Sequence, residues 1–186
     1  MANLGMSYNV VIISLSLEVM ESLFGKNAAD FLVTSTLIAG MMAGQLLFGG
    51  LGDHLGRPRA LAYTLLLCVV GALGSAVLTP DGPNVFVALS AWRFLLGFGA
   101  GGVYPLAATT AREGAAKGSA RPGGGSSGGD GAATTAVAVV FAVQGVGYLL
   151  APLTQWLLIS LLGESEATWR LALGLGAVLP LITAVA

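Results

Sequence analysis

The run Gly40-Met41-Met42-Ala43-Gly44-Gln45-Leu46-Leu47-Phe48-Gly49-Gly50-Leu51-Gly52-Asp53-His54-Leu55-Gly56-Arg57-Pro58-Arg59-Ala60 carries an apolar, membrane-length segment into a tight turn bearing Asp53, Arg57 and Arg59. A second apolar run starts at Leu61, so the pattern is that of a membrane hairpin with a charged elbow. Small residues at Gly40, Gly44 and Gly49 are expected to admit a neighbouring backbone, because helices in lipid gain no hydrophobic drive and associate by close contact. Gly52 and Gly56 permit backbone angles that other residues avoid, which allows a short elbow.

Working outward, hydrophobic residues make up 55% of the 186 and charged residues 9%, with a mean hydropathy of +0.85. A soluble domain carries roughly a quarter charged residues. The expectation is an all-α integral membrane protein. A net charge of −1 offers no basic face for nucleic acid. Cys68 is the only cysteine, which excludes a disulfide or a cysteine metal cluster within the chain and marks it as a small apolar helix residue. His54, the only histidine, lies in the elbow, and no nucleophile–base pair or metal set is visible, so neither an enzyme nor a cofactor is expected.

Six apolar segments follow in order: Leu4 to Phe24, Ala29 to Leu51, Leu61 to Leu78, Val85 to Thr110, Ala132 to Leu162 and Trp169 to Ala186. Each is roughly membrane length. The first offers only about 14 residues before Glu18, about 21 Å of helix against roughly 30 Å of hydrocarbon, and reads as a span that starts part-way through. No basic segment with a short apolar core and a cleavage site precedes it, so no removable signal peptide is expected. Thr79 to Asn84 is a dense turn signal. The organisation expected is helices one to four over 1–110, a flexible glycine- and serine-rich loop over 111–131, and helices five and six over 132–186.

Short loops rich in Lys and Arg stay cytoplasmic. Arg57, Arg59, Arg112, Lys117 and Arg121 fall in the second-to-third and fourth-to-fifth connections, which places both chain ends and the glycine-serine loop on the cytoplasmic side.

Polar residues within the apolar segments are the candidate functional groups. Arg93 sits well inside the fourth, where an unpaired charge costs roughly 2.5 kcal/mol or more, so it should face protein or a watery cavity. Tyr104 lies eleven residues on and returns to within about 20° of the same helical face, so both can line one cavity. The bland alternatives are a snorkelling or ion-paired Arg93 and a packing Tyr104. Gln144 in the fifth segment, Gln45 in the second and Asn9 in the first each need a hydrogen-bond partner, either another helix or a ligand.

The elbow Gly50-Leu51-Gly52-Asp53-His54-Leu55-Gly56-Arg57, with Gly49 just ahead, resembles the signature between helices two and three of the major facilitator superfamily, whose core is Gly-x-Leu-x-Asp-x-x-Gly-Arg. Trp92 to Thr109, with Gly101-Gly102-Val103-Tyr104-Pro105-Leu106, resembles the fourth helix of the phosphate:proton symporter family, which writes Gly-Gly-Asp-Tyr-Pro-Leu-Ser there. Gly44 to Gly49 and Gln144-Gly145-Val146-Gly147-Tyr148 are similar to that family's second and fifth helices. The resemblance implies the six-helix N-terminal half of a twelve-helix carrier in the plasma membrane, with a missing C-terminal half as partner. It implies that Tyr104 and Gln144 contact inorganic phosphate. Asp53, Arg57, Gly49 and Gly56 would belong to a conformational latch on the cytoplasmic side.

Two departures stand out. The family's acid before the tyrosine is Val103 here, and its Asp-x-Tyr-Asp in the first helix is Met6-Ser7-Tyr8-Asn9. Acids there are read as parts of a proton path, so proton symport, another coupling ion and facilitative transport stay open. Arg93, Asn9 and Gln45 are the remaining cavity or coupling candidates. Sugar or another organic solute is the alternative cargo, and a non-transporting nutrient sensor or truncated half is the alternative class.

Overall fold

The structure is a computed structural model that describes residues 2–25, 30–80, 82, 84–119 and 128–185. Lys26, Asp81, Arg121 and residues 120–127 of the glycine-serine run lie outside the described residues, and Asp30 and Lys117 are described in backbone only. Among the described residues there are seven helices and no strand: α1 Ala2–Phe24, α2 Asp30–Leu55, α3 Arg57–Val77, α4 Val85–Ser119, α5 Gly128–Leu162, α6 Glu166–Leu175 and α7 Val178–Val185. They form six stretches long and apolar enough to cross a membrane, the last made of α6 and α7 together.

The segments expected from the sequence are present, with four differences. Helix α1 continues through Glu18 and Glu21, and its 23 residues reach about 35 Å, enough to span. Helix α2 runs on through Gly49, Gly50 and Gly52 to Leu55, so the elbow narrows to one residue. Gly56 takes a φ of 83° there, which a side chain would resist, and Pro58 sits in the first turn of α3, where its missing N–H costs nothing. Gly52 is helical and meets the Leu106 side chain.

The expected loop over 111–131 is shortened from both sides, since α4 reaches Ser119 and α5 begins at Gly128. Ala111, Ala115 and Ala116 are strong helix formers and extend a helix already nucleated in the membrane. At 35 residues, α4 and α5 are each about 52 Å long and outrun the hydrocarbon by roughly 20 Å. Lastly, the sixth crossing is broken at Gly176 and Ala177.

Helix α4 is the spine, packing against α2, α3 and α5, while α1 lies on α5 and touches α6 and α7. The core gathers Ile12, Ile13 and Met20 of α1, Cys68 and Ala72 of α3, Leu96 and Ala100 of α4, and Trp169 of α6. Helices α2 and α5 leave most of their apolar surface uncovered, with Leu46, Leu149, Leu153 and Trp156 prominent.

Candidate functional site

Four glycines set α4 against α2. A methyl group added at Gly40 or Gly44 would collide with the carbonyl oxygens of Phe94 and Phe98, and one at Gly97 or Gly101 with those of Leu37 and Met41. Two Gly-x-x-x-Gly faces therefore bring the backbones into direct contact. Gly49 has nothing within 4 Å and contributes no such contact, contrary to expectation. On the other side of α4, Gly99 faces Thr64 and Cys68, and Gly71 and Gly74 of α3 receive Leu96 and Trp92. So tightly held a helix gives its polar side chains fixed positions.

Arg93, Ala100 and Tyr104 follow one face of α4, as the eleven-residue spacing predicts. Arg93 is fully buried, and none of its three guanidinium nitrogens has a hydrogen-bond partner. Its electrostatic neighbour is Tyr8 on α1. Three turns of helix separate Arg93 from Tyr104, about 16 Å along the axis, so the two residues belong to different clusters along one face.

The Arg93 cluster adjoins the break in the sixth crossing. Pro180 has no N–H to give the Gly176 carbonyl four residues back, and Asn9 supplies it, its Nδ2 donating to Gly176 O at 2.7 Å and to Gly5 O at 2.8 Å. The Gly176 N–H turns to Leu173 O, which frees the Ala172 carbonyl, and the Tyr8 hydroxyl donates to it at 3.0 Å. Tyr8 and Asn9 thus cap a broken helix from the side. The Asn9 Oδ1, like the Arg93 nitrogens, is buried without a hydrogen-bond partner.

Gln144 has a side-chain partner on its own helix. Tyr148 lies one turn beyond Gln144 on α5 and accepts a hydrogen bond from Gln144 Nε2 at 2.7 Å. It is also an electrostatic neighbour of Tyr104, which is half-buried on α4. Beside them, Gly147 brings α5 against α1, since a methyl there would strike Ser7 and the Leu4 carbonyl. The cluster offers two hydroxyls and an amide N–H2, a donor-rich set without a carboxylate.

Next to it is a cavity of about 310 Å³ lined by Asn3, Leu61, Ala107, Thr110, Val143 and Thr183 among others. Ala107 lies one turn past Tyr104 and Val143 directly precedes Gln144. Both amide atoms of Asn3 and the hydroxyl of Thr110 are buried without partners. Neither residue stands out in the sequence, since only the packing of α1 on α4 and α5 joins them. Gln45 is exposed on α2 and joins neither cluster.

At the elbow, Arg57 reaches Asp53 at 3.5 Å and, more closely, Glu113 Oε1 at 2.8 Å. Glu113 lies on the extension of α4, so this pair ties the elbow to the far end of the spine. Among the described residues no group of three or more His, Cys, Asp or Glu could hold a metal ion.

Comparison with known proteins gives this geometry a lineage. The family described as Major Facilitator Superfamily matches residues 2–186. The low affinity inorganic phosphate transporter 4 of Petunia hybrida is 36% identical over 170 residues, which is 81% of this chain and 30% of that protein. The inorganic phosphate transporter 1-2 of Oryza sativa subsp. japonica is 35% identical over 165 residues, 78% of this chain and 29% of the relative. The inorganic phosphate transporter PT2 of Toxoplasma gondii is 40% identical over 116 residues, 59% of this chain and 21% of the relative. The matched region is thus about 30% of the length of the curated plant relatives. Six apolar helices, a Gly-x-Leu-x-Asp-x-x-Gly-Arg elbow and a match along the whole chain place this protein in the Major Facilitator Superfamily, as half of its fold.

Proposed function

We propose that this chain supplies the N-terminal half of a carrier for inorganic phosphate, with Tyr104, Gln144 and Tyr148 contacting the anion. The observation that carries the reading is the Gln144–Tyr148 hydrogen bond on α5, the helix that packs against α4, which bears Tyr104. Hydroxyl and amide donors suit the oxygens of a tetrahedral oxyanion, and hydrogen bonds to a charged group are worth about 1.5–3 kcal/mol each. Arg93 contributes positive potential from deeper in the same half. The names of the relatives support phosphate over sugar as the cargo. A role in transport, not catalysis, accords with the same names.

Facilitator-type carriers place substrate between two six-helix halves and rock them to alternate access. The uncovered apolar faces of α2 and α5 fit lipid or a second half. The cavity behind Ala107 and Val143 provides space toward the elbow end. By the distribution of bases, that end and both chain ends are cytoplasmic, and the plasma membrane is the proposed location. Arg57, Asp53 and Glu113, with Gly49 and Gly56 around the turn, form the proposed latch.

The coupling ion implied by resemblance is the proton. Val103 and Asn9 do not titrate, and Asn9 is engaged in capping the sixth crossing, so coupling must use a group elsewhere. That same observation favours the second reading, a phosphate-binding sensor or half that does not transport. Radiolabelled phosphate uptake by the full-length protein in transport-deficient cells, with Tyr104→Phe and Gln144→Ala compared, tests the proposal. Reduced uptake in both variants supports it, and unchanged uptake in both refutes the assigned roles. Phosphate binding without flux in vesicles selects the sensor.

A further inference from the structure

The two halves of the sixth crossing are held very differently. Helix α6 is pinned at the end of the bundle opposite the elbow, where Arg170 donates from Nη1 to Ala76 O at 2.8 Å and from Nη2 to Thr79 O at 2.9 Å. Trp169, Ala172 and Leu173 beside it are fully buried. Helix α7 has no such ties. Its side-chain hydrogen bond, from Thr183 Oγ1 to Leu179 O, stays within the helix, and among the described residues no side chain of α7 bonds another helix. Val178, Leu181 and Ile182 are exposed. Pro180 is buried, seated where a methyl added at Gly5 of α1 would meet it at 2.9 Å.

Between the halves the helix winds into a tighter turn. Gly176 N–H bonds Leu173 O at 3.1 Å and Ala177 N–H bonds Gly174 O at 2.9 Å, both three residues back, and such bonds in mid-helix often mark a hinge. Asn9, donating to Gly176 O at 2.7 Å, clasps that turn to α1. Beyond it, Thr183 is the contribution of α7 to the cavity of about 310 Å³ beside Tyr104 and Gln144, whose other walls come from α1, α3, α4 and α5. We propose that α7 is a hinged flap, pivoting at Gly176 and Ala177 and clasped by Asn9, that controls entry to this cavity from the elbow end. Swinging α7 outward removes one wall and breaks no side-chain hydrogen bond from α7 to a neighbouring helix. Helix α6 stays in place, because its bonds to α3 and the bond of Tyr8 to Ala172 O all lie before the turn. A flap of this kind acts whatever the cavity holds, so the proposal does not rest on the phosphate assignment.

Spin labels on the whole protein in lipid nanodiscs, in a background without other cysteines, read the pivot directly. With Ile182→Cys on α7 and Leu46→Cys on α2, both exposed, the distance distribution should be narrow while Asn9 is present. Asn9→Leu should raise a displaced population about fivefold, the worth of one hydrogen bond. Pro180→Ala returns an N–H four residues past Gly176, and adding it to Asn9→Leu should restore the narrow distribution. In a parallel set of variants, a water-soluble thiol reagent should label Val143→Cys in the cavity wall faster in Asn9→Leu, and at the parent rate once Pro180→Ala is added. Labels at Leu46→Cys and Leu149→Cys, on α2 and α5, should keep the parent distance throughout. An α7 distance that ignores Asn9→Leu would overturn the pivot, and a displaced α7 with unchanged labelling at Val143→Cys would overturn the control of entry. Broadening between α2 and α5 in Asn9→Leu would also overturn it, since the whole bundle, and not a hinge, would then have loosened.

Discussion

Two contacts hold this half together by opposite means. Between α2 and α4, Gly40, Gly44, Gly97 and Gly101 remove side chains altogether, and backbone lies on backbone. Between α1 and the sixth crossing, Tyr8 and Asn9 add polar side chains to a helix whose own hydrogen bonds fail at Gly176. The first contact is rigid because no rotamer can absorb a change. The second is specific because each donor answers one carbonyl stranded in the membrane. A helix pair of the first kind can anchor a site, whereas the second kind marks where the bundle bends.

Breaking the glycine seam should have the largest effect. Gly44→Leu places carbon against the Phe98 carbonyl oxygen, where only a backbone shift relieves it, and overpacking of this kind costs about 3 kcal/mol. Thermal melting in detergent should fall accordingly, and an unchanged melt would remove the seam from the account. Asn9→Leu comes next, leaving the Gly176 carbonyl buried and unpaired at a cost of about 1–3 kcal/mol. Faster amide exchange around residues 174–180 should accompany it, and native protection there would show that the break holds without Asn9.

Arg57→Ala removes both pairs at a partly exposed elbow and should cost no more than about 1 kcal/mol of stability. A large loss of stability would mean that the elbow carries more than ion pairs. Smallest, and opposite in sign, is Gly49→Ala. That position is helical with open space around it, so the change should stabilise by about 0.5–1 kcal/mol. A destabilising Gly49→Ala would reveal an unrecognised neighbour and blur the contrast with Gly44.

The helices and the close packing at Gly40, Gly44, Gly97 and Gly101 were legible in the chain because both depend on local pattern: apolar length and four-residue spacing. The shared face of Arg93 and Tyr104 was legible for the same reason. Their separation into two clusters was not, since helical phase says nothing about which neighbour lies opposite at each level. The pairing of Arg57 with Glu113 depends on where α4 ends, and the alanines beyond Thr110 were masked by the surrounding glycines. Asn9 looked like a substituted acid, and its contact with Gly176 required knowing that Pro180 breaks the sixth crossing beside it. Tyr148 was in plain sight, one turn after Gln144, and an i, i+4 check would have found it.

The account turns on whether Tyr104, Gln144 and Tyr148 hold phosphate. Equilibrium binding of radiolabelled phosphate to the whole protein in nanodiscs tests that without requiring transport. A Tyr104→Phe, Gln144→Ala double variant should bind at least tenfold more weakly, equivalent to about 1.4 kcal/mol or more, while Tyr63→Phe on the exposed face of α3 should bind as the parent does. Equal affinity in the double variant and the parent would contradict the assignment.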